Sequence, residues 1–85
     1  MKSCNKWYVY IIECKDGKLY TGITNDLENR VKKHNRGQGC KFTKCRTPVK
    51  LLRSEELCSK GKALSREAQI KTLTRERKLA LIAHR

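Results

Sequence analysis

Apolar residues in WYVYIIE (7–13) and LYTGIT (19–24) come in short β-branched and aromatic runs, not at helical spacing. Between them lies Lys15-Asp16-Gly17, so the two runs predict a β-hairpin. The period then lengthens. Asn25 or Asp26 supplies a capping side chain ahead of LENRVKKHN, and Gly37 marks the expected end of that helix. GQGCKFTKCRTP (37–48) holds two glycines and the chain's single proline and reads as a loop. VKLLRSEEL (49–57) predicts a third strand, and 62–73 and 75–83 predict two helices separated near Thr74, a candidate N-cap. The order is ββαβαα over a single domain, 1–85, without repeat, linker or low-complexity segment.

The hairpin register decides what the tyrosines do, because a slip of one residue sends every side chain to the other face. A two-residue Asp16-Gly17 turn pairs Glu13 with Tyr20 and separates Tyr10 from Tyr20. A three-residue Lys15-Asp16-Gly17 turn, with Gly17 left-handed in a bulge, pairs Ile12 with Tyr20 and Tyr10 with Gly22. The second register collects Trp7, Val9, Ile11, Leu19, Thr21 and Ile23 on one face. Tyr8, Tyr10, Ile12, Tyr20, Gly22 and Thr24 fall on the other. Amphipathicity favours this register, since it sorts a core face from a candidate site face. Gly22 opposite Tyr10 then marks a place where something approaches the strand closely.

On the first helix Val31, His34 and Arg30 fall about 40°, 340° and 300° round from Leu27, with Glu28, Asn29, Lys32 and Lys33 on the far side. Arg30 and His34 ride the shoulder of the buried stripe. Arg30 there either packs its stem and snorkels or aims a rigid fork at a phosphate. His34 is either a semi-buried polar cap or a proton carrier. On the second helix Glu67 lies inside the apolar arc, between Ile70 and Leu64. It is either an i,i+4 partner of Lys71 or a hard oxygen ligand for Mg²⁺.

Composition narrows the partner. Twenty-one Lys and Arg against eight Asp and Glu give a net charge of +13. Repulsion of that size is tolerated most easily by a protein that meets a polyanion, nucleic acid first and an anionic membrane surface second. An adaptor for an acidic protein is a further class that fits the charge. With 38% hydrophobic and 34% charged residues the chain is a small globular domain, not a disordered tail. Five cysteines without a secretory signal point to a reducing, cytoplasmic compartment. Cys40 and Cys45 lack a second pair to complete a zinc quartet. No apolar run approaches membrane-spanning length.

Taken together, tyrosines on one strand face, Arg30 and His34 one turn apart and an inward Glu67 form a set suited to phosphodiester cleavage. They supply electrostatic stabilisation of a pentacovalent phosphate, proton transfer and a metal ligand. A phenol, with pKa near ~10, must be acidified to act as a base at neutral pH, and an adjacent Arg30 and a metal would do so.

Tyr8-Val9-Tyr10 followed by Tyr20-Thr21-Gly22 resembles the paired signature of the GIY-YIG nuclease superfamily, with Tyr8 in place of the first glycine and Thr21 in place of isoleucine. "NDLENRVKKHN" continues the likeness through Arg30 and His34, and "SREAQIK" through Glu67, over essentially residues 6–82. "YTGIT", "HNRGQGCKFTKCRTPV" and "REAQIKTL" are similar to small standalone bacterial members. The resemblance implies an α/β fold, a three-stranded antiparallel sheet flanked by helices, and cleavage of DNA that depends on Mg²⁺, or Mn²⁺ in its place. It implies roles for Tyr20 as base or water-orienting phenol, Tyr10 as its partner, Arg30 on the scissile phosphate, His34 in proton transfer and Glu67 on the metal.

Two departures from the family pattern carry expectations of their own. Relatives usually attach a DNA-binding module; here Lys41, Lys44 and Arg46 of the loop, with Phe42 stacking on an unpaired base and Lys71 from the second helix, are expected to serve. Some relatives also carry a lysine soon after the second motif and a polar residue in the last helix. Here Ile23 follows Gly22 and residues 79–83 are apolar, which implies weak catalysis or a protein partner, with low sequence specificity and a place in DNA repair.

Overall fold

The computed structural model describes residues 6–38 and 47–83. Six elements follow in order: β1 (Trp7–Glu13), β2 (Leu19–Thr24), α1 (Leu27–Asn35), β3 (Lys50–Leu57), α2 (Lys60–Lys71) and α3 (Arg75–Ala83). The elements keep the expected ββαβαα order, and the sheet runs β2-β1-β3 with both pairings antiparallel, the three-stranded antiparallel sheet that the family resemblance implies.

The hairpin closes on the three-residue turn. Cys14 N–H donates to the Lys18 carbonyl at 2.8 Å, Gly17 N–H donates to the Cys14 carbonyl at 2.9 Å, and Gly17 has φ +87°, where a Cβ is disfavoured. Tyr10 therefore pairs with Gly22 and Ile12 with Tyr20.

The middle of β1 is covered on both sheet faces: Val9, Tyr10, Ile11 and Ile12 are all buried. Val9 and Ile11 pack beneath Ala63 and Ile70 of α2, flanked by Leu81 and Ile82 of α3. Tyr10 and Ile12 point the other way, toward Cys14, Val49 and the apolar stripe of α1, Leu27 and Val31. The tyrosine face is thus a second core rather than an open site face, because α1 needs a surface on which to bury its own stripe.

A bulge in β3 supports this division. Ile11 pairs with Arg53 but Ile12 pairs with Leu51, so Leu52 is an extra residue. The insertion reverses the alternation, placing Leu51 on the α1 side while Arg53, Glu55 and Leu57 lie on the α2 side. There Glu55 accepts from Arg66 at 2.7 and 3.1 Å and from Arg53 at 3.1 Å. The Arg66 hydrogen bonds hold its carboxyl below the usual range, against the opposing effect of burial, with Arg53 adding to the shift.

Helix ends follow their capping residues. Asp26 accepts from Asn29 N–H, and at the other end Gly37 N–H donates to His34 and Gln38 N–H to Lys33, closing a Schellman turn with Gly37 at φ +78°. Thr74 caps α3, accepting from Arg77 N–H at 3.2 Å. The second helix spans 60–71 instead of the expected 62–73, because Ser59 accepts from Lys62 N–H and starts it earlier. Among the described residues, no helix is long and apolar enough to cross a membrane.

Thr21, directed to the α2 side, is buried and its hydroxyl has no hydrogen-bond partner among the described residues. Leaving such a group unpaired costs about 1–3 kcal/mol. Thr21→Val keeps the branched shape and is expected to raise stability by about 1 kcal/mol, read as a higher urea midpoint at unchanged slope.

Candidate active site

The turn register puts Tyr10 and Tyr20 on one face as diagonal neighbours, their ring centroids 6.4 Å apart and their planes tilted by 47°. α1 covers that face and brings His34 down from its last turn. The imidazole centroid lies 5.8 Å from the Tyr10 ring and 5.5 Å from the Tyr20 ring. The Tyr10 hydroxyl and His34 Nε2 share a hydrogen bond of 3.0 Å. Tyr10 and His34 lie beneath the surface, at 2% and 1% exposure, whereas Tyr20 is half-buried at the rim.

The close approach expected at Gly22 is real, and the approaching group is the Tyr10 phenol. A Cβ on residue 22 would stand 2.6 Å from the Tyr10 hydroxyl oxygen, 2.8 Å from its Cζ and 3.2 Å from Tyr20 Cε2. Only glycine leaves that volume to the ring.

Arg30 is half-buried one turn before His34, and lines a cleft of about 320 Å³ beside the start of α1, with Thr24, Asp26 and Asn29 on its walls. Its charge reaches the imidazole. Burial first, and Arg30 second, push the His34 pKa below the ordinary 6.5, so the ring stays neutral where a free histidine takes up a proton.

Glu67 is placed differently. It sits on α2, the helix over the opposite sheet face, and its largely covered carboxylate pairs with Lys71 Nζ at 3.1 Å, the i,i+4 contact that the spacing allows. The structure therefore gathers Tyr10, Tyr20, His34 and Gly22 into one cluster with Arg30 at its margin. Glu67 and Lys71 are outside the contacts of that cluster. Lys41, Phe42, Lys44 and Arg46 fall outside the described residues.

Sequence reasoning overlooked the other walls of the Arg30 cleft. Asn29 and Lys33 point away from the buried stripe, as their helical angles require, yet they line the cleft with Arg30 and Arg36. A basic residue at every third position, 30, 33 and 36, was the available signal.

Chain comparison agrees with this fold. The model of the GIY-YIG catalytic domain matches residues 6–80. The chain belongs to the GIY-YIG family. A UPF0213 protein of Staphylococcus saprophyticus is 53% identical over 79 residues, covering 93% of this chain and 96% of that one. A UPF0213 protein of Staphylococcus aureus strain N315 is 55% identical over 78 residues, with 92% and 95% covered. Among solved structures, the solution NMR structure of a UPF0213 protein from Bacillus halodurans matches with a TM-score of 0.60 at 44% identity, covering 92% of this chain and 83% of that one. A protein from E. faecalis matches with the same TM-score at 32% identity, with 95% and 88% covered. GIY-YIG membership supports nuclease chemistry on nucleic acid at a coarse level.

The donor set of this GIY-YIG domain limits which metal it could hold. Among the described residues no group of three or more His, Cys, Asp or Glu is poised around one point. That excludes from this part of the chain the three or four side-chain ligands of a zinc site. A single hard carboxylate such as Glu67 fits Mg²⁺ or Mn²⁺, which accept one or two carboxylates and complete their shell with water and phosphate oxygen.

Two outcomes test the cluster. Gly22→Ala is expected to force the Tyr10 ring aside and to destabilise the domain by about 1–3 kcal/mol, measured by chemical denaturation, while Gly61→Ala, with only Ser59 Oγ near at 4.0 Å, does not destabilise it. A neutral buried imidazole contributes stability that is full above the unfolded pKa near 6.5 and lost as pH falls through the lower folded value. An NMR titration of His34 should therefore show a midpoint below 6.5, and Arg30→Gln should raise it.

Proposed function

We propose that this GIY-YIG domain is an endonuclease that hydrolyses phosphodiester bonds in DNA with the help of Mg²⁺ or Mn²⁺. The supporting observation is the arrangement of Tyr20 at the rim of a buried Tyr10–His34 hydrogen bond, one helical turn from Arg30 on an open cleft.

Arg30 in this reading holds the scissile phosphate through its planar fork and stabilises the charge that builds on the phosphorane. Tyr20, the more exposed of the two paired phenols, orients the attacking water and takes its proton. Tyr10 and His34 are positioning groups, holding the Tyr20 ring by tilted ring contacts. Glu67 would hold the divalent ion, which when bound neutralises phosphate charge. The +13 charge binds backbone rather than sequence, in keeping with low specificity and a preference for single-stranded or branched DNA of the kind met in repair or recombination. The exposed Cys58 thiol accords with a cytoplasmic setting, and a protein partner would supply the specificity that the domain lacks.

A non-catalytic nucleic-acid-binding module is the second reading, favoured by one observation: the Glu67 carboxylate is already engaged by Lys71. Labelled single-stranded, duplex and forked DNA, incubated with Mg²⁺, Mn²⁺ or EDTA, separates the two. Metal-dependent cleavage is expected, abolished by Glu67→Ala and reduced at least 100-fold by Tyr20→Phe, the scale of losing a general base. Salt-sensitive binding with no cleavage in either metal would establish the module instead.

A further inference from the structure

Charge is neutralised unevenly in this molecule. The carboxylates of β3 and α2 each hold a cation: Glu55 pairs with Arg53 and Arg66, Glu56 with Lys6 and Glu67 with Lys71. On α1 the opposite holds, since Arg30, Lys33 and Arg36 line one cleft and none of them has a carboxylate partner among the described residues. The one acid on the cleft, Asp26, is occupied as the helix cap, its carboxylate accepting from the Asn29 amide side chain at 2.6 Å and from the Asn29 N–H at 3.4 Å.

Stability alone does not ask for this arrangement. Positions three and four apart on a helix are neighbours, and like charges there are destabilising. Arg30 and Lys33, Lys33 and Arg36, and Lys32 and Arg36 all stand at such spacings. The negative end of the helix dipole eases the cost for the last turn but not for Arg30, which is placed earlier. An anion in the cleft would relieve the repulsion.

We infer that the cleft is an extended phosphate-binding site in which Lys33 and Arg36 take the phosphates neighbouring the one held by Arg30, so that a nucleic-acid strand runs along α1. This rests on the reading of Arg30 as the scissile-phosphate ligand. Lys33 and Arg36 stand about 4.5 and 9 Å beyond Arg30 along the helix axis, a row rather than a cluster. The cleft walls also carry the neutral donors and acceptors of Thr24, Asn25 and Asn29, which serve sugar and phosphate oxygens without reading bases.

The affinity of the whole protein for a fluorescent single-stranded oligodeoxynucleotide, measured across a salt series in EDTA so that no cleavage intervenes, tests this. Each phosphate contact contributes about 0.7 to the slope of log affinity against log salt for single strands, so Lys33→Gln with Arg36→Gln is expected to reduce it by about 1.4 and each single change by half that. Lys62→Gln with Arg77→Gln, the same charge change on α2 and α3, is expected to leave the slope nearly unaltered. An unaltered slope in the α1 pair, or an equal drop in the control pair, overturns the site while leaving the nuclease reading standing. The expected slope loss in the α1 pair, without cleavage in the metal experiment, would remove the nuclease reading and leave the site. Failure of the unaltered protein to bind single strands would overturn both.

Discussion

The phenol ring of Tyr10 occupies the volume that a side chain on residue 22 would need, and its hydroxyl is tied to His34 of the covering helix. That contact joins the central strand, the edge strand beside it and α1 at one point. A short domain has little interior to spare, burying only somewhat more than ~60% of the surface its unfolded chain exposes. The same side chains must therefore serve as core and as the floor of the site. Tyr10 and His34 do both, which leaves Tyr20 and Arg30, their half-buried neighbours, as the groups that can meet a substrate.

Electrostatics divide the molecule in a matching way. The described ion pairs engage Glu55 and Glu56 on β3 and Glu67 on α2, while α1 keeps its cations unneutralised along the cleft. Arg30 belongs to both descriptions. It lowers the proton affinity of the buried imidazole behind it and faces the cleft in front. A neutral His34 suits a site that gathers phosphate, because the cations that hold the anion stay at the rim and the interior remains uncharged.

Much of this was legible in the residues. Alternation of side chains in 7–13 and 19–24 is sorted cleanly by one turn length alone, and Gly17 supplies the left-handed residue that turn needs. Caps at Asp26, Gly37 and Thr74 bounded two helices because side-chain and glycine capping is a local event. The early start of α2 was missed because Ser59 outweighs Gly61 in the first turn. The bulge at Leu52 left no local sign, since either neighbouring residue could have been the extra one and only the demands of two opposed cores choose between them.

Short-range pattern and turn chemistry are enough to set the family, the order of elements, the hairpin register and the residue types at Tyr10, Tyr20, Gly22, Arg30 and His34. Tertiary structure alone decided which of those residues are buried and which are reachable, that the tyrosine face is a core, and that Glu67 stands on a helix over the other face. It also decided that Lys33 and Arg36 share a cleft with Arg30. Burial and encounter across the sheet depend on how α1 and α2 settle on a strand covered from both sides, and helical angles name a face without naming what that face will meet.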